Sequence, residues 1–268
     1  SWSESEGSDD FAMQVIKLNS EKNTGTVVHS YAVAGTPLKD HIFYFHYLIT
    51  HFNIVCMVGD YNGGVQFLNS VNESELFKSS KIKIETFDAD FDNLPDYHLA
   101  IRECKNQYNL TQKRICHLRK PSSGWIRYAN ELLQADFDHK KIFFAGAAMN
   151  DDYQLQRNKN IPIDNIRFLR VEDENQGSSA KMIDFIEHQK DMLDLTKAEC
   201  ALIQPSTTTN GTQTFDLPLN LKGQKGPDRA RKDSYSALIL GNWMMNIYYD
   251  MLKTPEVQTS TFVPMFIK

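Results

Sequence analysis

The spacing of apolar and polar residues changes several times along the chain, and each change marks an element. Residues 11–18 (FAMQVIKL) and 26–34 (TVVHSYAVA) are apolar and rich in strand-forming side chains. The polar segment 19–25 between them completes the pattern of a β-hairpin. A further short strand is expected near residues 27–37. Pro37 then opens a stretch with apolar residues at Ile42, Phe45, Leu48, Ile49 and Phe52, the period of an amphipathic helix. Residues 53–58 (NIVCMV) form a short apolar run of the kind a buried parallel strand shows, ending at Gly59–Asp60 and breaking into YNGG. A helix is expected from Gly64 onward and another strand at 81–86 (KIKIET). Strands and helices that alternate in this way predict an α/β layered domain built on a mixed sheet.

The second half is less regular. Residues 97–118 read as a polar helix or loop, 125–137 as a helix, and 141–145 (KIFFA) as a short strand. Residues 149–177 are rich in Asn, Asp, Gln and Arg with little periodicity, which suggests an insertion or mobile loop. Helical spacing returns at Met182, Ile183, Ile186 and Leu193. A strand at 200–204 (CALIQ), a turn at 206–212 and a second arm at 213–217 predict a hairpin. The loop 219–232 (LNLKGQKGPDRARK) leads into a last helix over 233–252. No internal repeat interrupts this order, and residues 1–268 are read as a single domain.

Composition narrows the class. The chain has 268 residues, 41% hydrophobic and 24% charged, which is ordinary for a soluble globular domain large enough to fold without disulfides. Cys56, Cys104, Cys116 and Cys200 show neither CxxC pairing nor zinc-ligand spacing with histidine, so reduced thiols are expected. No run approaches the ~20 apolar residues of a membrane span. A glycine–lysine phosphate loop is also missing, which excludes ATP hydrolysis by that route. The net charge of −5 does not by itself mark a nucleic-acid binder, so the placement of the charges matters more than their sum.

Two aspartates stand out. Asp60 ends a predicted buried strand, where open α/β sheets place ligands, and glycines on both sides permit close approach. The same position suits an aspartate that caps the following helix. Asp233 lies where a basic loop meets the last helix, and capping again competes with a chemical role. Lys222, Lys225, Arg229, Arg231 and Lys232 crowd that loop, opposite in sign to the chain as a whole. Cations for phosphates beside carboxylates for Mg²⁺ or Mn²⁺ are what phosphodiester chemistry uses, although a solvated loop has the same composition. The opening SWSESEGSDD supplies Glu4 and Glu6 and also reads as an acidic terminus. His29, His41, His46 and His51 do not share a metal-binding face. The aromatic run at 43–45, with Trp243, Tyr248 and Tyr249, reads as core.

Three segments in order, SEGSDDFAMQVIKL, VCMVGDYNGG and FDLPLNLKGQKGPDRARKDSYSALILGNW, resemble the nuclease domain of viral large terminase subunits. The resemblance implies a ribonuclease-H-like fold of the resolvase type, with helices flanking a mixed sheet and a C-terminal hairpin plus helix. It implies carboxylates from a first strand, a central strand and the last helix around two divalent ions, Mg²⁺ or Mn²⁺. Asp60 and Asp233 match the second and third positions. The first falls on Ser3, a poor ligand, leaving Glu4, Glu6 or an acid upstream of this chain to serve. The implied activity is endonucleolytic cutting of concatemeric double-stranded DNA during genome packaging, in the cytoplasm of the infected cell. The implied partners are the terminase's ATPase domain, the portal and the small terminase subunit. A resolvase or transposase-type nuclease on the same fold, and a catalytically disabled DNA-binding or motor-docking module, are the alternatives.

Overall fold

A computed structural model describes residues 11–33, 35–87, 94–107, 113–145, 181–207, 213–222 and 230–253. The first hairpin is as expected. Strand β1 (Phe11–Asn19) pairs antiparallel with β2 (Thr24–Val33), in register from Phe11↔Val33 to Asn19↔Thr24 with a bulge between Val15 and Ile16. Asn23 turns the chain at φ 51, a left-handed conformation that Asn tolerates better than most side chains. Residues 24–33 form one continuous strand, so the further strand near 27–37 is part of β2. Helix α1 (Leu38–His51) follows Pro37, whose fixed φ suits a helix entrance.

Strand β3 (Met57–Asp60) begins later than its apolar run suggested, and α2 (Tyr61–Glu73) starts directly after it. The YNGG segment is therefore the first turn of α2, not a break before it. Gly64 has a packing reason to be there: a Cβ would lie 2.8 Å from the Leu118 side chain. Helix α3 (Glu75–Ser79) leads to β4 (Lys83–Phe87), and α4 (Leu94–Gln107) to β5 (Lys113–Arg119). Within the segment 97–118, the described residues are helix up to Gln107 and strand from Lys113. Strand β5 lies in the middle of a parallel sheet ordered β3-β5-β4, with Arg114, Ile115, Cys116, His117 and Leu118 all buried. Charged and imidazole side chains hid the strand, because the usual buried parallel strand is apolar.

Helix α5 (Ser123–Asp138) begins at Ser122, whose Oγ accepts the Trp125 N–H at 3.3 Å. It leads to β6 (Ile142–Phe144), which joins β2 in parallel and makes β1-β2-β6 a mixed three-stranded sheet. Helix α6 (Lys181–Leu202) absorbs Cys200–Leu202, correcting the strand expected there. The first arm of the late hairpin is β7 (Gln204–Thr207), paired antiparallel with β8 (Gln213–Asp216). Residues 149–177 lie outside the described residues. No described helix is long and apolar enough to cross a membrane.

Helix α7 (Asp233–Lys253) organises the largest core. Leu238, Trp243, Met244, Met245, Tyr248 and Tyr249 are buried on it, against residues from β2, α5 and α6. Each buried side chain of this size contributes roughly 1.5–3 kcal/mol. Gly241 lets the helix lie close to β1, where a Cβ would meet Ile16 at 2.8 Å. A second cluster, including Ile42, Phe67, Val71, Phe77 and Ile84, packs α1, α2 and α3 onto the β3-β5-β4 sheet. The architecture is mixed α/β, with its described strands in three hydrogen-bonded sheets.

Candidate active site

Strands β3 and β5 run parallel and end together, with Asp60 opposite Arg119 in the register. Beyond their C-terminal ends lies a cleft of about 190 Å³. Asp60 and Arg119 form one wall; Trp125 and Asn130 from α5, Phe215 from β8, and Lys232, Tyr235 and Ser236 around the start of α7 form the others. Distant parts of the chain meet here at the place where parallel sheets expose strand ends to ligands.

Asp60 realises the capping role read from the sequence. It is exposed, and its Oδ1 accepts the Asn62 N–H at 2.9 Å, closing the first turn of α2. Capping occupies one carboxylate oxygen and leaves the residue on the cleft wall. Asp233 is the half-buried first residue of α7, and its neighbours Lys232, Tyr235 and Ser236 line the cleft. The helix start is held by Glu199 of α6, a buried acid whose Oε2 accepts the Tyr235 N–H at 2.8 Å. Glu199 carried no sequence signal, since one acid on a long polar helix reads as solvated.

The basic loop divides. Lys222 and Lys232 converge on Asp216 at 2.7 and 2.8 Å. Partial burial works to raise the Asp216 pKa, but hydrogen bonds from Lys222, Lys232 and the Leu217 N–H outweigh it and hold the carboxyl at about 2. Lys232 belongs to the cleft wall as well, and Arg231 before it is half-buried. Lys225 and Arg229 lie outside the described residues, as do Ser3, Glu4 and Glu6.

Arg119 is the site residue that the sequence reading missed. Its guanidinium sits over the Trp125 ring, 5.5 Å from the centroid, a cation–π contact with a largely buried indole. The signal was present in KRICHLRKPSSG: once that run is a strand, Arg119 stands at its end as Asp60 does in β3. Behind them, Asn130 Oδ1 accepts the Tyr235 hydroxyl hydrogen bond and Asn130 Nδ2 donates to the Ile126 carbonyl at 2.7 Å, tying α5 to α7.

The site's composition suits a phosphate-bearing ligand: a carboxylate, a guanidinium and an ammonium beside aromatic side chains. It does not by itself make a metal centre. Among the described residues, no three His, Cys, Asp or Glu side chains are grouped to hold a metal ion. Asp60 and Asp233 offer the oxygen ligands that Mg²⁺ and Mn²⁺ favour, and each further ligand must come from elsewhere.

The other singled-out residues have structural partners. His29 bonds to the Tyr44 hydroxyl, His41 to the Tyr31 hydroxyl at 2.9 Å, and His46 to Ser80 Oγ at 2.8 Å. All four cysteines are free thiols, and burial pushes those of Cys56, Cys116 and Cys200 up to about 12, too high for a nucleophile. Comparison with protein-family models, curated proteins and solved structures finds no match to this chain.

Proposed function

We propose that this chain is the metal-dependent endonuclease domain of a viral large terminase subunit, with a ribonuclease-H-like fold. Its substrate is concatemeric double-stranded DNA in the cytoplasm of the infected cell. The observation that carries the reading is the shared cleft, in which Asp60 at a parallel strand end meets Arg119, Lys232 and the start of the helix headed by Asp233. Cations beside a carboxylate at strand ends can hold a DNA backbone phosphate near an acidic ligand. In this reading Asp60 and Asp233 hold divalent ions, with the remaining ligand drawn from the Ser3, Glu4 and Glu6 region. When bound, two such ions supply water activation and stabilisation of the leaving oxygen. The ATPase domain, portal and small terminase subunit are the proposed partners.

The test is cleavage of supercoiled plasmid in Mg²⁺, Mn²⁺ or EDTA. Nicking is expected in either metal and none in EDTA, with Asp60→Ala and Asp233→Ala both inactive. Persistent cutting by either purified variant sinks the assignment. A second reading, a DNA-binding and motor-docking module, is favoured by Ser3 in an acidic slot and by the incomplete ligand group among the described residues. It predicts salt-sensitive DNA binding without cleavage in any divalent metal, and cleavage gained by Ser3→Asp would identify a nuclease lacking one ligand.

A further inference from the structure

We infer that Asp216 holds the Lys232 ammonium in reserve, as an internal stand-in for phosphate, until a DNA backbone phosphate in the cleft takes it over. The inference rests on the nuclease reading above. Lys232 belongs to two places at once. It lines the cleft with Asp60 and Tyr235, at the turn into α7, yet its Nζ donates to Asp216 Oδ1 at 2.8 Å. Asp216 itself is not on the cleft wall. Its neighbour Phe215 is, and successive side chains of a strand project to opposite faces, so the carboxylate stands on the other face of β8. From there it holds a cleft lysine from outside the cleft.

The contacts around Asp216 make Lys232 a partner it can release. Lys222 bonds to the other carboxylate oxygen, Oδ2, at 2.7 Å, and the Leu217 N–H donates to Oδ1 at 2.9 Å. With Lys232 withdrawn, Asp216 keeps an ammonium and a backbone donor and is not left bare. Its carboxyl titrates at about 2, so it is an anion at neutral pH. Lys232 is equally ready to leave. Its side chain is 41% exposed, and an ion pair so open to water is weak and readily exchanged. An ammonium carries three donors on a flexible four-carbon stem, so it moves between anions as a point charge without a fixed plane to satisfy. A phosphodiester close enough to outcompete Asp216 recruits it, and a more distant one does not. The exchange carries no base information, so any duplex sequence would be treated alike.

The experiment measures binding of a short labelled duplex by fluorescence anisotropy across a salt series in Ca²⁺, so that binding is read without relying on cleavage. The chain itself is compared with Asp216→Asn, Lys232→Gln and the double variant. Lys232→Gln is expected to flatten the slope of log K against log salt by about 0.9, the loss of one phosphate contact. Asp216→Asn should keep the parent slope and bind about fivefold tighter, because the ammonium no longer has to leave a carboxylate. In the double variant that gain should vanish, and affinity should match Lys232→Gln alone. An equal gain from Asp216→Asn with and without Lys232 overturns the exchange, since it would mark plain repulsion of DNA by a carboxylate. So does an unchanged affinity in Asp216→Asn, or an unchanged slope in Lys232→Gln. Any of these, with the parent binding and nicking normally, leaves the nuclease reading standing. Absent or salt-independent binding by the parent overturns both. Should Asp216→Asn fail to fold, Asp216→Ser, also neutral, takes its place in the same cycle.

Discussion

Asp60 and Asp136 carry the same carboxylate into opposite surroundings. Asp136, near the end of α5, is 1% exposed, and its Oδ2 accepts hydrogen bonds from Asn242 at 2.9 Å and Asn246 at 2.7 Å, both on α7. Its Oδ1 lies 3.4 Å from the Lys141 ammonium. Every one of these partners holds α5, β6 and α7 together. Asp60 is exposed at a strand end and has one backbone N–H as its hydrogen-bond partner. The difference shows how burial commits a carboxylate. Once two amides and an ammonium surround it, the cost of removing it from water is offset only while that geometry persists. A carboxylate left in water at the mouth of a cleft keeps the capacity to meet a ligand.

The comparison breaks most visibly at Asp136. Asp136→Ala should cost about 3 kcal/mol, because the buried Asn242 amide and the half-buried Asn246 amide lose their acceptor. Urea unfolding measures this, and a loss below about 1 kcal/mol would mean the carboxylate does not bind the helices together. Asp60→Ala should cost about 1 kcal/mol, the usual worth of a helix cap, while abolishing plasmid nicking. Asp60→Asn sharpens the contrast: asparagine caps as well as aspartate, so stability should hold within about 0.5 kcal/mol while nicking is still lost. Parent-like nicking by Asp60→Asn would reduce Asp60 to a cap.

The smallest effect is expected at Asp216, which lies between the two extremes at 23% exposure and carries two lysine partners. Its folded pKa of about 2 lies below the ordinary 3.8. The unfolded chain therefore binds the proton more readily, and the ion pairs' contribution is complete above about pH 4 and lost as pH falls toward 2. Asp216→Asn should lower stability by about 0.5–1 kcal/mol at pH 7 and by nothing near pH 2. An equal difference at both pH values would show that packing, not charge, explains the variant.

Local spacing made the first hairpin, α1, α5 and α7 readable, because each requires only a steady period and a turn or cap at its ends. Strand β5 escaped that logic. Arg114 and His117 are buried in it, and charged or imidazole side chains do not mark a buried parallel strand in local spacing. With β5 unread, Arg119 had no strand end to occupy, and half of the cleft disappeared with it. The late hairpin was anticipated in kind and misplaced in detail, since CALIQ continues the apolar pattern of α6 up to Leu202.

The sequence by itself determined an α/β order of elements, a strand-end carboxylate at Asp60, a carboxylate at the head of the last helix and a basic loop before it. Each is a matter of neighbours within a few residues. Only the tertiary structure decided that Arg119 stands opposite Asp60, that Glu199 rather than a local cap accepts the Tyr235 N–H, and that Lys222 and Lys232 spend their charge on Asp216. Those outcomes depend on burial and on partners brought from distant parts of the chain, and neither is written in local spacing.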